Sequence, residues 1–314
     1  MDALALFKRI QAVGVEVFVA GRTREGRVFG PLLVGLAIFL VCPIQLAAAS
    51  PFFFSTGNPD GLIATLSRTA STGKLETETA DDFITTAPTL INSATFTGLL
   101  VGGATPANVL DVEIELYHVF PIDSVSPPDG RVITRTNSPS DNNFAAADGK
   151  LGQLSFTVTV LDPRFSALNS VVNGINPLPN QFTGGEGAVT GEEVRFNVTF
   201  TTPFSLGADH VFFRPEVDLG SAGDFLWLSA PKPIVSPGTP FTGDLQTWIR
   251  NDGAGALAPD WEKIGTDVTH QGPFNAAFTL SGQSVPEPAT LVLMGLGLAG
   301  LAASRRRLGR SGTA

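Results

Sequence analysis

The stretch Val109-Leu110-Asp111-Val112-Glu113-Ile114-Glu115-Leu116-Tyr117-His118-Val119-Phe120 decides the fold class. Val112, Ile114 and Leu116 fall on one side of its alternation. Asp111, Glu113, Glu115 and Tyr117 fall on the other. A period of two marks a half-buried β-strand, because successive side chains of a strand point to opposite faces. The same rhythm returns in Leu154, Phe156, Val158 and Val160, set between Ser155, Thr157 and Thr159. It returns again in Val194, Phe196, Val198 and Phe200, set between Arg195, Asn197 and Thr199. Residues 91–100 alternate in part, residues 210–217 and 224–229 read as a further pair, and residues 274–280 read as a closing strand.

Turn-rich stretches at 121–130, 137–149, 173–191 and 231–243 separate these runs, and 163–170 and 260–264 read as short turns. No βαβ rhythm and no 20–50-residue repeat occurs, which excludes parallel α/β folds, solenoids and propellers. The expectation is an all-β body over residues 50–282, an antiparallel, jelly-roll-like β-sandwich. Residues 282–286 are expected to form a short stalk.

Composition supports this. Charged residues make up only 16% of 314, while Gly (34) and Pro (23) are abundant, a mix for short strands and many turns rather than a helical bundle. Residues 50–284 hold 11 basic and 25 acidic side chains. So acidic a body repels nucleic acid, and DNA and RNA are excluded as partners. The single cysteine, Cys42, precedes the body, so disulfides and thiol chemistry are excluded there.

Both ends carry addresses. Arg22, Arg24 and Arg27 precede an apolar run that ends at Cys42, and Ala47-Ala48-Ala49 follows before Ser50. A basic flank, a short apolar stretch and small residues at −3 and −1 define a secretory signal peptide. Residues 1–49 are therefore expected to hold an N-terminal extension and a signal helix, cleaved between Ala49 and Ser50 after export through the Sec translocon. Bulky Val41 argues against acylation of Cys42, and no Arg-Arg pair supports twin-arginine export.

At the other end stand Val285, Pro286, Glu287 and Pro288, an apolar stretch over 289–303, and Arg305, Arg306 and Arg307. Fifteen helical residues reach about 23 Å, short of a roughly 30 Å hydrocarbon core, yet flanking arginines snorkel and let a short span hold for a time. The arginines stay cytoplasmic, which leaves the body outside. Pro286 and Pro288 keep the chain extended before the helix, as a processing enzyme requires.

This tail, residues 283–314, resembles the PEP-CTERM sorting signal of Gram-negative, exopolysaccharide-producing bacteria. The matching residues are Pro286, Glu287, Pro288, 289–303 and Arg305 to Arg307. The resemblance implies recognition by an exosortase that cuts near the motif, a transient inner-membrane anchor, and delivery to the cell surface or matrix. The body is also similar to a group of exported proteins with such tails. The likeness rests on Ala80-Asp81-Asp82-Phe83, Asn137-Ser138-Pro139-Ser140-Asp141, Phe196-Asn197-Val198-Thr199-Phe200 and Leu226-Trp227-Leu228-Ser229-Ala230. It implies one domain and carries no activity.

Candidate sites in the body stand beside plainer readings. Trp248 and Trp261 are candidates for a sugar-stacking platform, since aromatic faces suit sugar rings; packing is the competing reading, and Trp227 reads as core. Asp81 and Asp82 are the calcium candidates, against turn chemistry and edge protection. Asp111, Glu113 and Glu115 read as the solvated face of a strand, and His118, His210 and His270 as packed or edge residues without zinc spacing. No catalytic constellation is recognised: no Gly-x-Ser-x-Gly elbow, no phosphate loop and no metal motif occurs. No cofactor is expected. The expected function is that of a non-enzymatic envelope or matrix protein associated with exopolysaccharide or biofilm. The alternatives are a secreted hydrolase of polysaccharide and a calcium-dependent carbohydrate-binding module.

Overall fold

The computed structural model describes residues 49–71, 73–124, 136–172, 182–231, 246–252, 261–285, 297 and 300. The described residues form fifteen strands. In chain order these are β1 (Ser50–Ser55), β2 (Ile63–Leu66), β3 (Glu76–Thr85), β4 (Thr89–Val101), β5 (Asp111–Val119), β6 (Pro139–Asp148), β7 (Leu154–Ala167) and β8 (Asn169–Val171). There follow β9 (Val189–Leu206), β10 (Asp209–Asp218), β11 (Asp224–Ala230), β12 (Trp248–Asp252), β13 (Glu262–Lys263), β14 (Asn275–Ala276) and β15 (Phe278–Ser284).

Two sheets result. The larger has nine strands and runs β1-β15-β4-β11-β2-β8, with β14 on β11, β9 on β4 and β7 on β9. The smaller runs β13-β12-β3-β10-β5-β6. Every pairing is antiparallel except the parallel β2–β8 pair. Both sheets feed one apolar core. Phe83, Ile114, Leu116, Val211 and Phe213 enter it from the smaller sheet, and Ile91, Phe96, Phe196, Trp227 and Phe278 from the larger. Phe213 stacks across the gap on Phe278, with ring centroids 5.2 Å apart. The body is thus a β-sandwich, as the alternation predicts. Gly98 permits this packing: a Cβ there would lie 2.3 Å from the Phe225 ring.

Local readings need correction. Residues 137–149, expected as turns, contain strand β6; its Asp141-Asn142-Asn143 run hides the period that Phe144, Ala145 and Ala147 complete. Residues 163–170, also expected as turns, belong to β7 and β8 except for Leu168 between them. Residues 260–264 contain β13 and open a π-helical turn at Ile264–Val268. The expected stalk begins three residues too early, because β15 continues through Ser284. Pairing with β1 and β4 stabilises those last residues, and Gln283 and Ser284 lack the apolar character that would announce it.

Among the described residues no helix is long and apolar enough to cross a membrane. The signal segment at 1–48, Pro286, Glu287, Pro288, the apolar stretch at 289–303 apart from Gly297 and Gly300, and Arg305 to Arg307 lie outside the described residues.

Candidate functional site

The two ends of the body meet. β1 pairs antiparallel with β15, and Ser50 stands opposite Ser284. The expected first residue after signal cleavage therefore sits beside the last strand residue before the tail. Ala49 and Ser50 are exposed. Val285 is still fastened: its N–H donates to the Pro88 carbonyl at 2.7 Å.

The most unusual chemistry lies on the outer face of the smaller sheet. Strand β10 runs between β3 and β5, placing Arg214 opposite Glu115 and Glu216 opposite Glu113. Strand β12 places Arg250 opposite Glu78. Cross-strand partners share a face, so these charges converge. They are buried: the side chains of Arg214, Glu78 and Glu216 are 2%, 1% and 0% exposed. The Arg214 Nη1 lies 2.5 Å from Glu216, 3.3 Å from Glu78 and 3.5 Å from Glu76, and its Nη2 pairs with Glu115. Arg250 pairs through Nε with Glu78, donates from Nη1 to the Asp141 carbonyl at 3.0 Å, and lies 4.6 Å above the Trp261 ring. The Tyr117 hydroxyl is 2.8 Å from Glu78 and also contacts Glu115.

Five carboxylates share this region with two guanidinium groups, and the imbalance shows in their proton affinities. Burial pushes Glu216 up to about 8, with Arg214 opposing and Glu76 and Glu113 reinforcing the rise. Burial likewise pushes Glu113 up to about 7 against the pull of Arg214. Burial works against the charge of Arg214, yet Glu216, Tyr117 and Glu115 outweigh it and hold the proton more tightly than usual.

Glu76, Glu78 and Glu216 each offer an oxygen within 4.8 Å of the others, a spacing that could hold a cation. Arg214 Nη1 already reaches all three. Calcium requires six to eight oxygen ligands, so three carboxylates around a resident guanidinium do not fit it. The arrangement locks four strands together rather than offering a cavity to a metal.

The singled-out residues fall in different places. Trp248 and Trp261 are both 0% exposed and pack with Tyr117 and Phe212. Neither indole presents a face to solvent, so the expected stacking platform is closed. Asp81 and Asp82 are also buried, and their side chains point to opposite faces of β3 as neighbours in a strand must. Asp81 accepts from the Ala276 N–H at 2.7 Å across the sandwich, whereas Asp82 pairs with His210 on the outer side. They do not converge on one ion. His118 stacks on Phe144 at 4.0 Å, and His270 lies against Phe182. Asp111, Glu113 and Glu115 form no solvated face; Asp111 is 5% exposed and the two glutamates are half-buried beside Arg214. Sequence reasoning missed Arg214, Arg250, Glu78 and Glu216. The one signal in the sequence was the alternation within β10, which puts Arg214 and Glu216 on one face; that this face meets the acids of β5 is set by the strand register.

These features define a class, a two-sheet β-sandwich whose first and last strands lie side by side and whose last strand leads into a tail. Residues 284–307 match the PEP-CTERM protein-sorting motif, a span that takes in Val285 to Pro288 and Arg305 to Arg307. Such a motif implies export, processing by an exosortase and membrane-associated sorting to the cell surface. No curated protein matches the chain.

Proposed function

We propose that this chain is a non-enzymatic envelope protein. It is exported through the Sec translocon, held briefly in the inner membrane by residues 289–303, cut by an exosortase near Pro286–Pro288 and delivered to a surface or matrix rich in exopolysaccharide. The observation that carries this reading is a sorting motif joined directly to the last strand of a folded body. The β1–β15 pair supports it further. With Ser50 opposite Ser284, the first and last strand residues of the body stand side by side. Because Val285 is hydrogen-bonded to the body, a cut before it would remove a residue that the fold holds. Cleavage beyond Val285 leaves every strand intact.

Mass spectrometry of the protein recovered from envelopes tests the reading. The expected product begins at Ser50 and ends within a few residues of Pro288. A mature protein that retains Arg305 to Arg307 would overturn the sorting step.

A further inference from the structure

The outer face of the nine-stranded sheet carries an ordered array of hydroxyl groups. One row crosses five strands in register, Thr157 on β7, Asn197 on β9, Thr95 on β4, Thr279 on β15 and Ser55 on β1. A second row runs parallel to it, with Ser155, Thr199, Ser93 and Ser281 ending at Phe53. A shorter third row joins Thr159, Arg195 and Thr97. Strand geometry spaces side chains about 4.8 Å apart along a row and the rows about 6.8 Å apart. Most of these side chains are exposed or half-buried. Phe52 and Phe54 pack inward on the core, which turns Phe53 outward with 68% of its surface exposed.

Two further features make the face more than a polar surface. A groove of about 210 Å³ opens in it, lined by Thr95, Thr97, Thr279, Leu161, Glu193 and Arg195 among others. The polar groups are unevenly committed to one another: Thr95 and Thr279 share a 2.6 Å hydrogen bond, whereas the amide at the centre of the first row is loosely held. The Asn197 amide lies 3.5 and 3.4 Å from the Thr157 and Thr159 hydroxyls, distances at which a hydrogen bond is easily exchanged.

We infer that this face, from Thr157 to Phe53, binds a neutral polysaccharide chain. The inference rests on the matrix reading above and names the surface that would serve it. Hydroxyl and amide groups both donate and accept, as sugar hydroxyls do. The exposed Phe53 ring suits the apolar face of a sugar. Among the residues of the three rows only Arg195 is charged, in a body with 25 acidic side chains. A polyanion is repelled by that body, whereas an uncharged polymer is not. A protein partner would be expected to find an apolar centre, which these rows lack.

Co-sedimentation of the full chain, in a neutral detergent, with amorphous cellulose and separately with alginate beads tests the inference. The expected result is retention by cellulose and little by alginate. Thr157→Asp with Thr199→Asp lowers retention about tenfold, and Phe53→Ser about threefold. Leu151→Ser, in the exposed turn before β7, leaves it unchanged. Unaltered thermal unfolding of each variant shows that the fold is intact. Retention that neither face variant lowers would overturn the assignment of this face while keeping the matrix reading. Failure to bind cellulose, or stronger binding to alginate, would overturn the neutral-glycan inference. The sorting step fails or stands separately, by its termini.

Discussion

The two outer faces of the sandwich solve opposite problems. On the nine-stranded sheet the outward residues are small, neutral and wet, Thr157, Thr199 and Ser281 among them, and the stability of that sheet comes from the apolar face beneath. On the six-stranded sheet the outward residues are large or charged and buried, as Arg214, Arg250, Tyr117 and Trp248 illustrate. A buried charge must be paired or it destabilises the fold, so each charge on that face depends on its neighbours. The same alternation of in and out therefore yields an exchangeable surface on one side and an interlocked one on the other.

The sharpest way to break this comparison is to remove one arginine from each face. Arg214→Met leaves Glu76, Glu78, Glu115 and Glu216 without their shared cation and is expected to cost about 3–5 kcal/mol in urea unfolding. Arg195→Met on the exposed face is expected to stay within about 0.5 kcal/mol. Equal losses would show that the two faces do not differ in kind.

Aromatic truncation gives a comparable contrast. Trp261→Ala empties a fully buried site and strips the donor to the Ser140 carbonyl, with an expected loss of about 3–5 kcal/mol. Phe53→Ala is expected to change stability by less than about 0.5 kcal/mol. A Trp261 variant that folds with full stability would reopen that ring as a surface group.

pH sharpens the comparison next. Glu216 and Glu113 hold protons in the folded state up to about 8 and about 7, whereas an ordinary glutamate releases its proton at 4.5. Between those values the folded chain binds more protons than the unfolded one, so stability falls as pH rises through that window. Asp218 and Asp224 act oppositely. Burial raises them, but Lys150, and Lys74 with Arg68, hold them below the usual 3.8, so they lose stabilising charge in stronger acid. The melting temperature is expected to be higher at about pH 5.5 than at about pH 8.5, and Glu216→Gln to flatten the difference. A rise in melting temperature towards pH 8.5 would contradict the burial of these acids.

The smallest effect belongs to the hydroxyl rows. Thr95→Val removes a 2.6 Å hydrogen bond to Thr279 and is expected to cost about 1 kcal/mol. Thr157→Val, exposed on β7, is expected to be close to neutral in chemical denaturation.

Much of the architecture is legible in the residues. The alternation in 109–120, 154–160 and 194–200 reflects half-buried strands, and β5, β7 and β9 carry it. Strand β6 is not legible, because Asp141-Asn142-Asn143 faces solvent for one half of its length and resembles a turn. Trp248 misleads for a related reason: its neighbours Thr247 and Arg250 are polar, which suggests a loop, yet all three are buried. Polarity in one strand says nothing about the charges that another strand will place beside it.

The sequence by itself determined the C-terminal sorting address and the all-β class. A sorting motif is read as a linear string, and a β period repeats every two residues, so neither needs a third dimension. Only the tertiary structure decided which polar faces are buried and which meet water. The acids of β5 look solvated until β10 brings Arg214 alongside, and the rows from Thr157 to Phe53 exist only once five distant strands pair in register. Burial and registry are properties of neighbours in space, and those neighbours are up to 234 residues apart in the chain, as Ser50 and Ser284 are.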